Sequence, residues 1–205
     1  AGNYDLKVVK AGDGPDGDAI MSANNVKVPG GANVTVVAHL TESGKPILTP
    51  YANDVSALPA GKARVIVRHD AAAPEVDVRA GGEPVFTDLA NPKEESAEID
   101  PGTVKADVVL AGTDDVVIGP ASLKVSEGTT TIVYAWGSAE DENLKLAVQA
   151  INGMHGSPNS VPGGTGGQAA SVDAAPLWAS LVAVGTLGAA ASGWQLYRRR
   201  ALMVR

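Results

Sequence analysis

The sequence predicts an all-β protein built from tandem Ig-like antiparallel β-sandwich domains, the first of them incomplete, followed by one C-terminal transmembrane α-helix. Three observations predict it. Apolar and polar residues alternate with period two in short runs rich in Val, Ile and Thr. Gly-rich turn signals separate those runs. One uncharged stretch of 21 residues, 177–197, is unlike everything before it.

The runs come in two copies. "AGNYDLKVVKAG" from Ala1 answers "PGTVKADVVLAG" from Pro101, a spacing of 100 residues. "VKVPGGANVTVVAHL" from Val26 answers "LKVSEGTTTIVYAWG" from Leu123, a spacing of 97. "ESGKPILTPYAN" and "DENLKLAVQAI" then hold equivalent places. Val104, Ala106 and Val108 face one way and Lys105 and Asp107 the other. Val34, Val36 and Ala38 alternate with Thr35 and Val37, and Leu144, Leu146 and Val148 with Lys145 and Ala147. This pattern reads as half-buried strand, with turns at Asp13-Gly14, Asp16-Gly17, Gly30-Gly31, Gly81-Gly82, Pro101-Gly102 and Glu127-Gly128. "ARVIVRH", "PEVDVRA", "EPVFTDL" and "SAEID" supply further strands to the second copy alone. The expected division is therefore 1–59 as the C-terminal part of a first repeat and 60–153 as a complete second repeat. After these come a Gly/Ser/Pro-rich linker at 154–176, the membrane helix at 177–197 and a basic tail at 198–205. A half-sandwich leaves unpaired edges. The expectation is that about 40 further residues precede Ala1, the size of the strands that the second copy has in addition.

Composition narrows the chemistry. Of 16 Lys and Arg, four lie beyond Pro176, so the first 176 residues hold 12 against all 23 Asp and Glu, a net charge of −11. So acidic a body does not suit nucleic acid, whose phosphates need a basic face. The absence of Cys excludes disulfides, thiolate zinc sites and thiol catalysis.

As a helix, 177–197 is roughly 31 Å long, which matches the hydrocarbon core of a bilayer. Trp178 marks one end and Trp194 and Tyr197 the other, as aromatic anchors do at membrane interfaces. Arg198, Arg199 and Arg200 follow. By the positive-inside rule the helix crosses the plasma membrane once, with the C-terminus cytoplasmic and the β-domains extracytoplasmic. A cleaved wall-sorting signal is the other possibility, but 161–166, VPGGTG, lacks the required Leu and has an extra residue. Gly185, Ala189 and Gly193 lie four apart, with Gly188 and Ser192 on an adjoining stripe. Small residues on one helix face permit the close backbone approach by which helices pack in lipid.

The stretch "ARVIVRHDAAAPEVDVRAGGEPVFTDL" at 63–89 resembles the bacterial surface-domain family known as domain of unknown function four-three-nine-seven, common in actinobacteria. The resemblance rests on a strand ending in His69, then Pro74, Val76-Asp77-Val78 and the Gly81-Gly82 turn. It extends over about 2–167 as one and a half copies. It implies the fold and no mechanism.

Candidate chemistry is sparse. His69, Asp70 and Asp77 are the most site-like cluster, and an acid–base or metal site would need them to converge. The plainer reading is that His69 bonds loop backbone and Asp77 pairs with an Arg. In "AGDGPDGDA" at 11–19, Pro15 and Gly17 fall where a calcium loop needs ligands, so it reads as a solvated turn. His39 and His155 stand alone. The expectation is thus of no catalytic residue, cofactor or metal. The chain reads as an accessory or structural subunit of an integral membrane protein complex, contacted through the helix and the ectodomain and resembling small single-span subunits of actinobacterial respiratory supercomplexes. The alternative is a free-standing cell-surface protein for adhesion or envelope spacing.

Overall fold

The runs with β-branched alternation do form strands. A computed structural model describes residues 1–155, and these hold twelve strands and no helix. The strands are β1 (Gly2–Val9), β2 (Ala19–Val28), β3 (Asn33–Leu40), β4 (Pro46–Asn53), β5 (Ala63–Ala72), β6 (Val76–Ala80), β7 (Glu83–Leu89), β8 (Glu94–Ile99), β9 (Gly102–Leu110), β10 (Val116–Val125), β11 (Thr129–Ser138) and β12 (Lys145–Asn152). Among the described residues no helix is long and apolar enough to cross a membrane. The span expected at 177–197, with Trp178, Gly185, Gly188, Ala189, Ser192, Gly193, Trp194, Tyr197, Arg198, Arg199 and Arg200, lies outside the described residues.

Strands β5 to β12 make a two-sheet sandwich. One sheet has the order β10-β9-β6-β7 and the other β12-β11-β5-β8. Between them lies an aliphatic core of Ala63, Val65, Val67, Val76, Val78, Leu89, Val108, Val125 and Val133. Each such buried branched side chain contributes about 1.5–3 kcal/mol relative to exposure. The arrangement departs from the Ig-like expectation in two ways. The sheets hold four strands each rather than four and three. In addition β5 and β11 run parallel, from Thr130 beside Arg64 to Ser138 beside Ala72, so the sandwich is not wholly antiparallel. Alternating patterns fix which face a residue takes, not the direction of its neighbour.

The first copy consists of two hairpins. β1 pairs with β2, and β3 with β4, while among the described residues β1 and β3 have no second strand neighbour. Their counterparts β9 and β11 have two neighbours each, because β6 and β5 lie beside them. The β3–β4 hairpin instead packs flat on the outer face of β5 and β11. There Val37 and Ile151 close over Ile66, Ile132 and Tyr134.

This docking changes which residues are buried. The Val34/Val36/Ala38 face of β3, expected to be the core side, is half-buried or exposed, whereas Thr35, Val37 and His39 meet the sandwich. All ten residues of β5 are buried, Arg64, Arg68, His69 and Asp70 included. Val148, expected on a buried face, is 56% exposed because β12 ends its sheet.

Candidate functional site

On the outer face of β5, Arg64, Ile66, Arg68 and Asp70 project at every second residue, beside Thr130, Ile132, Tyr134 and Trp136 of β11. Such polar residues normally mark a solvent face. Here the β3–β4 hairpin covers them, so each needs an internal partner.

Arg68 is the centre of that face and is fully buried. Its Nε donates to Glu94 Oε2 at 2.7 Å, Nη1 to the Tyr134 hydroxyl at 2.9 Å and Nη2 to Asn53 Oδ1 at 2.8 Å. The guanidinium also lies 4.2 Å from the ring centroid of Tyr51 and 5.3 Å from that of Tyr134, within cation–π range. Asn53 Nδ2 carries the network on to Asn33 Oδ1 at 2.7 Å and Thr35 Oγ1 at 2.8 Å. Four residues earlier on the same strand, Arg64 donates to the carbonyls of Asp54 and Ser56 and to Glu98 Oε1. Thr130 Oγ1 donates to the Asp54 carbonyl as well, so the connector between the copies is tied to the sandwich.

At the other end of the face, Tyr51 donates its hydroxyl to Asp70 Oδ1 at 2.6 Å, and His39 Nε2 lies 3.6 Å from the same oxygen. Burial pushes the Asp70 carboxyl up, against the pull of Tyr51, His39 and Arg68. Burial, with the hydrogen bond to Asp70, likewise raises the Tyr51 phenol far above its ordinary value. Asp70 Oδ2 is buried without a hydrogen-bond partner in the described protein. His39 Nδ1 lies 2.9 Å from the Leu40 carbonyl, and Nε2 lies 2.7 Å from Thr49 Oγ1. A cleft of about 690 Å³ runs past this cluster along β3, with Met21, Val37, Leu40, Pro46 and Trp136 in its walls.

A hydroxyl, an imidazole and a carboxylate therefore meet, but they are not wired as a catalytic triad. In that arrangement the carboxylate holds one ring nitrogen and the hydroxyl the other. Here both Thr49 and Asp70 stand at Nε2, and Nδ1, facing a carbonyl, must carry its own hydrogen.

The expected cluster does not converge as a site. His69 Nε2 donates to the Pro74 carbonyl at 2.9 Å, and Nδ1 accepts from the Ala71 N–H. That is the backbone role expected of it, and burial lowers its pKa. Asp77 does not pair with an Arg. It accepts the backbone N–H groups of Asp88 and Gly112, both at 2.9 Å, which hold its carboxyl below the usual range. The nearby Arg79 is taken by Asp107 and Asp114. Of the lone histidines, His39 proves to have Asp70 as a neighbour, across 31 residues of chain that no sequence pattern links. The His155 ring lies against Gly128, where a Cβ would come within 2.3 Å. The 11–19 stretch is an exposed turn, with Lys7 Nζ on the Gly17 carbonyl. Among the described residues no group of three His, Cys, Asp or Glu is placed to hold a metal.

The fold and this face define an all-β sandwich protein with a second, two-hairpin element docked through a buried Arg–Tyr–Asp network. The model of the family described as Domain of unknown function (DUF4397) matches residues 1–79, so that segment is similar to the family. The matched segment runs from β1 into β6 and contains His39, Tyr51, Asn53, Arg68 and Asp70. No curated protein and no solved structure matches the chain.

Proposed function

We propose that the chain is a non-catalytic accessory or structural subunit of a membrane protein complex. Its β-domains are extracytoplasmic, segment 177–197 spans the plasma membrane once, and the Gly185/Ala189/Gly193 face meets a partner helix. The observation that carries the non-catalytic part is the wiring at His39: hydroxyl and carboxylate share one ring nitrogen, and the other ring nitrogen faces a carbonyl. The most chemically active groups of the described residues are thereby used to hold two β elements in fixed relation. The membrane part rests on the uncharged length of 177–197 and the arginines beyond it. An actinobacterial respiratory supercomplex is the complex suggested by the likeness of the chain to small single-span subunits of such assemblies.

The test is purification of the native protein in mild detergent. Recovery in fixed stoichiometry with an integral membrane complex supports the proposal, and recovery as a free chain sinks it. The second result would favour a free-standing cell-surface spacer, a reading that the rigid junction at Arg68 also suits.

A further inference from the structure

The sandwich of β5 to β12 is not filled. A cavity of about 390 Å³ lies between its two sheets and touches all eight strands, from Val65 and Val67 of β5 to Leu146 and Val148 of β12. Its walls are aliphatic apart from Phe86, and the only polar residues on them are Arg79, Asp100 and Ser122. Arg79 and Asp100 already have ionic partners, Asp107 and Lys62. Four wall positions that larger residues would fill are alanines on four different strands, Ala80 of β6, Ala97 of β8, Ala106 of β9 and Ala121 of β10.

The cavity runs across the sandwich from edge to edge. β10 and β12 end the two sheets on one side, and β7 and β8 end them on the other. An exposed valine stands on each side, Val148 on β12 at 56% and Val85 on β7 at 45%. Four strands at about 4.8 Å spacing put the outer ones roughly 14 Å apart. A peptide strand lying between the sheets would leave its backbone N–H and C=O groups against aliphatic walls without partners. Water is a poor occupant, because a buried water needs two to four polar partners and these walls offer almost none. A slender apolar chain satisfies both limits.

We propose that this intersheet slot binds a single aliphatic chain, the acyl tail of a fatty acid or single-chain lipid, lying across the strands with its polar head at one edge. The slot is separate from the junction at Arg68 and from the cleft along β3, which share none of its residues. The proposal does not depend on the subunit reading.

The test is a titration of the full chain, methyl-labelled at Val and Leu, with dodecanoic acid, followed by NMR. The expected result is saturable one-to-one binding, with the largest shifts at Val67, Val78, Val108 and Val133. The double variant Ala97→Leu, Ala106→Leu fills the slot, and its affinity should fall at least tenfold. The circular dichroism spectrum of that variant shows whether the fold is kept, and the wild-type shift map stands whether or not it is. No saturable binding by the wild type overturns the proposal. So do shifts confined to Val37 and Leu40 of the other cleft, or undiminished binding by a folded double variant.

Discussion

Replacing Arg68 by Met removes the cation on which the junction is built and keeps most of its aliphatic length. Three hydrogen bonds go with it, to Glu94, Tyr134 and Asn53. Glu94, 36% exposed in its side chain, regains water. Asn53 and Tyr134 are buried and do not. A bond to a charged group contributes about 1.5–3 kcal/mol, and breaking a buried pair from one side costs about 3–5 kcal/mol. The Met side chain fills part of the space and needs no desolvation, which holds the loss within that range rather than at the sum of the bonds. Against a typical total of about 5–15 kcal/mol this is a large share. With an m-value of about 2 kcal/mol/M, a loss of about 4 kcal/mol lowers the urea midpoint by roughly 2 M. Equilibrium urea unfolding followed by far-ultraviolet circular dichroism reads it directly. A loss below about 1 kcal/mol, the size expected of a solvent-exposed ion pair, would refute the reasoning that Arg68 organises a dry interface.

Three other outcomes follow from the same geometry and sequence. Burial holds His69 below its usual 6.5, so as pH falls the unfolded chain takes up the proton first, and stability that is full above that value declines below it. The His69→Gln variant, which can still donate to Pro74, should show less loss of urea midpoint than wild type between pH 7.5 and pH 5.5; Asp70, raised by burial, contributes with the opposite sign and is common to both proteins. Asp77→Ala leaves the N–H groups of Asp88 and Gly112 without their acceptor and should cost about 1–2 kcal/mol in thermal unfolding. Changing both Gly185 and Gly193 to Leu should leave the chain in the membrane fraction but reduce its co-purification with the complex, and wild-type yield would make the helix an anchor only.

Much of the sandwich was legible in the sequence because period-two alternation and Gly turns are local signals. The strands at "ARVIVRH", "PEVDVRA", "EPVFTDL" and "SAEID" are β5 to β8. Burial was legible only where a single face is covered. Arg64, Arg68 and Asp70 stand at alternate positions of β5 with Ile66, and nothing within the strand says that another hairpin lies over them. The one available signal was the density of ionisable residues in "RVIVRHD", next to Glu94 and Glu98 in a strand of opposite charge. The neighbourhood of His39 and Asp70 arises from packing between the copies, and a repeat pattern reports the copies but not how they dock. The parallel partnership of β5 and β11 was hidden for a similar reason, since strand direction leaves no mark on alternation.

Amide hydrogen exchange on β3 and β4 tests most directly the claim that the first hairpins are held rigidly on the sandwich. A two-stranded hairpin on its own is marginally stable at best in water, so its amides exchange quickly unless something covers it. The amides paired between β3 and β4 should be protected to the same order as those of β5 and β11, and Arg68→Met should remove the protection of β3 and β4 ahead of that of β9 and β10. Exchange of the β3–β4 amides at the rate of an undocked hairpin in the wild-type chain would contradict it.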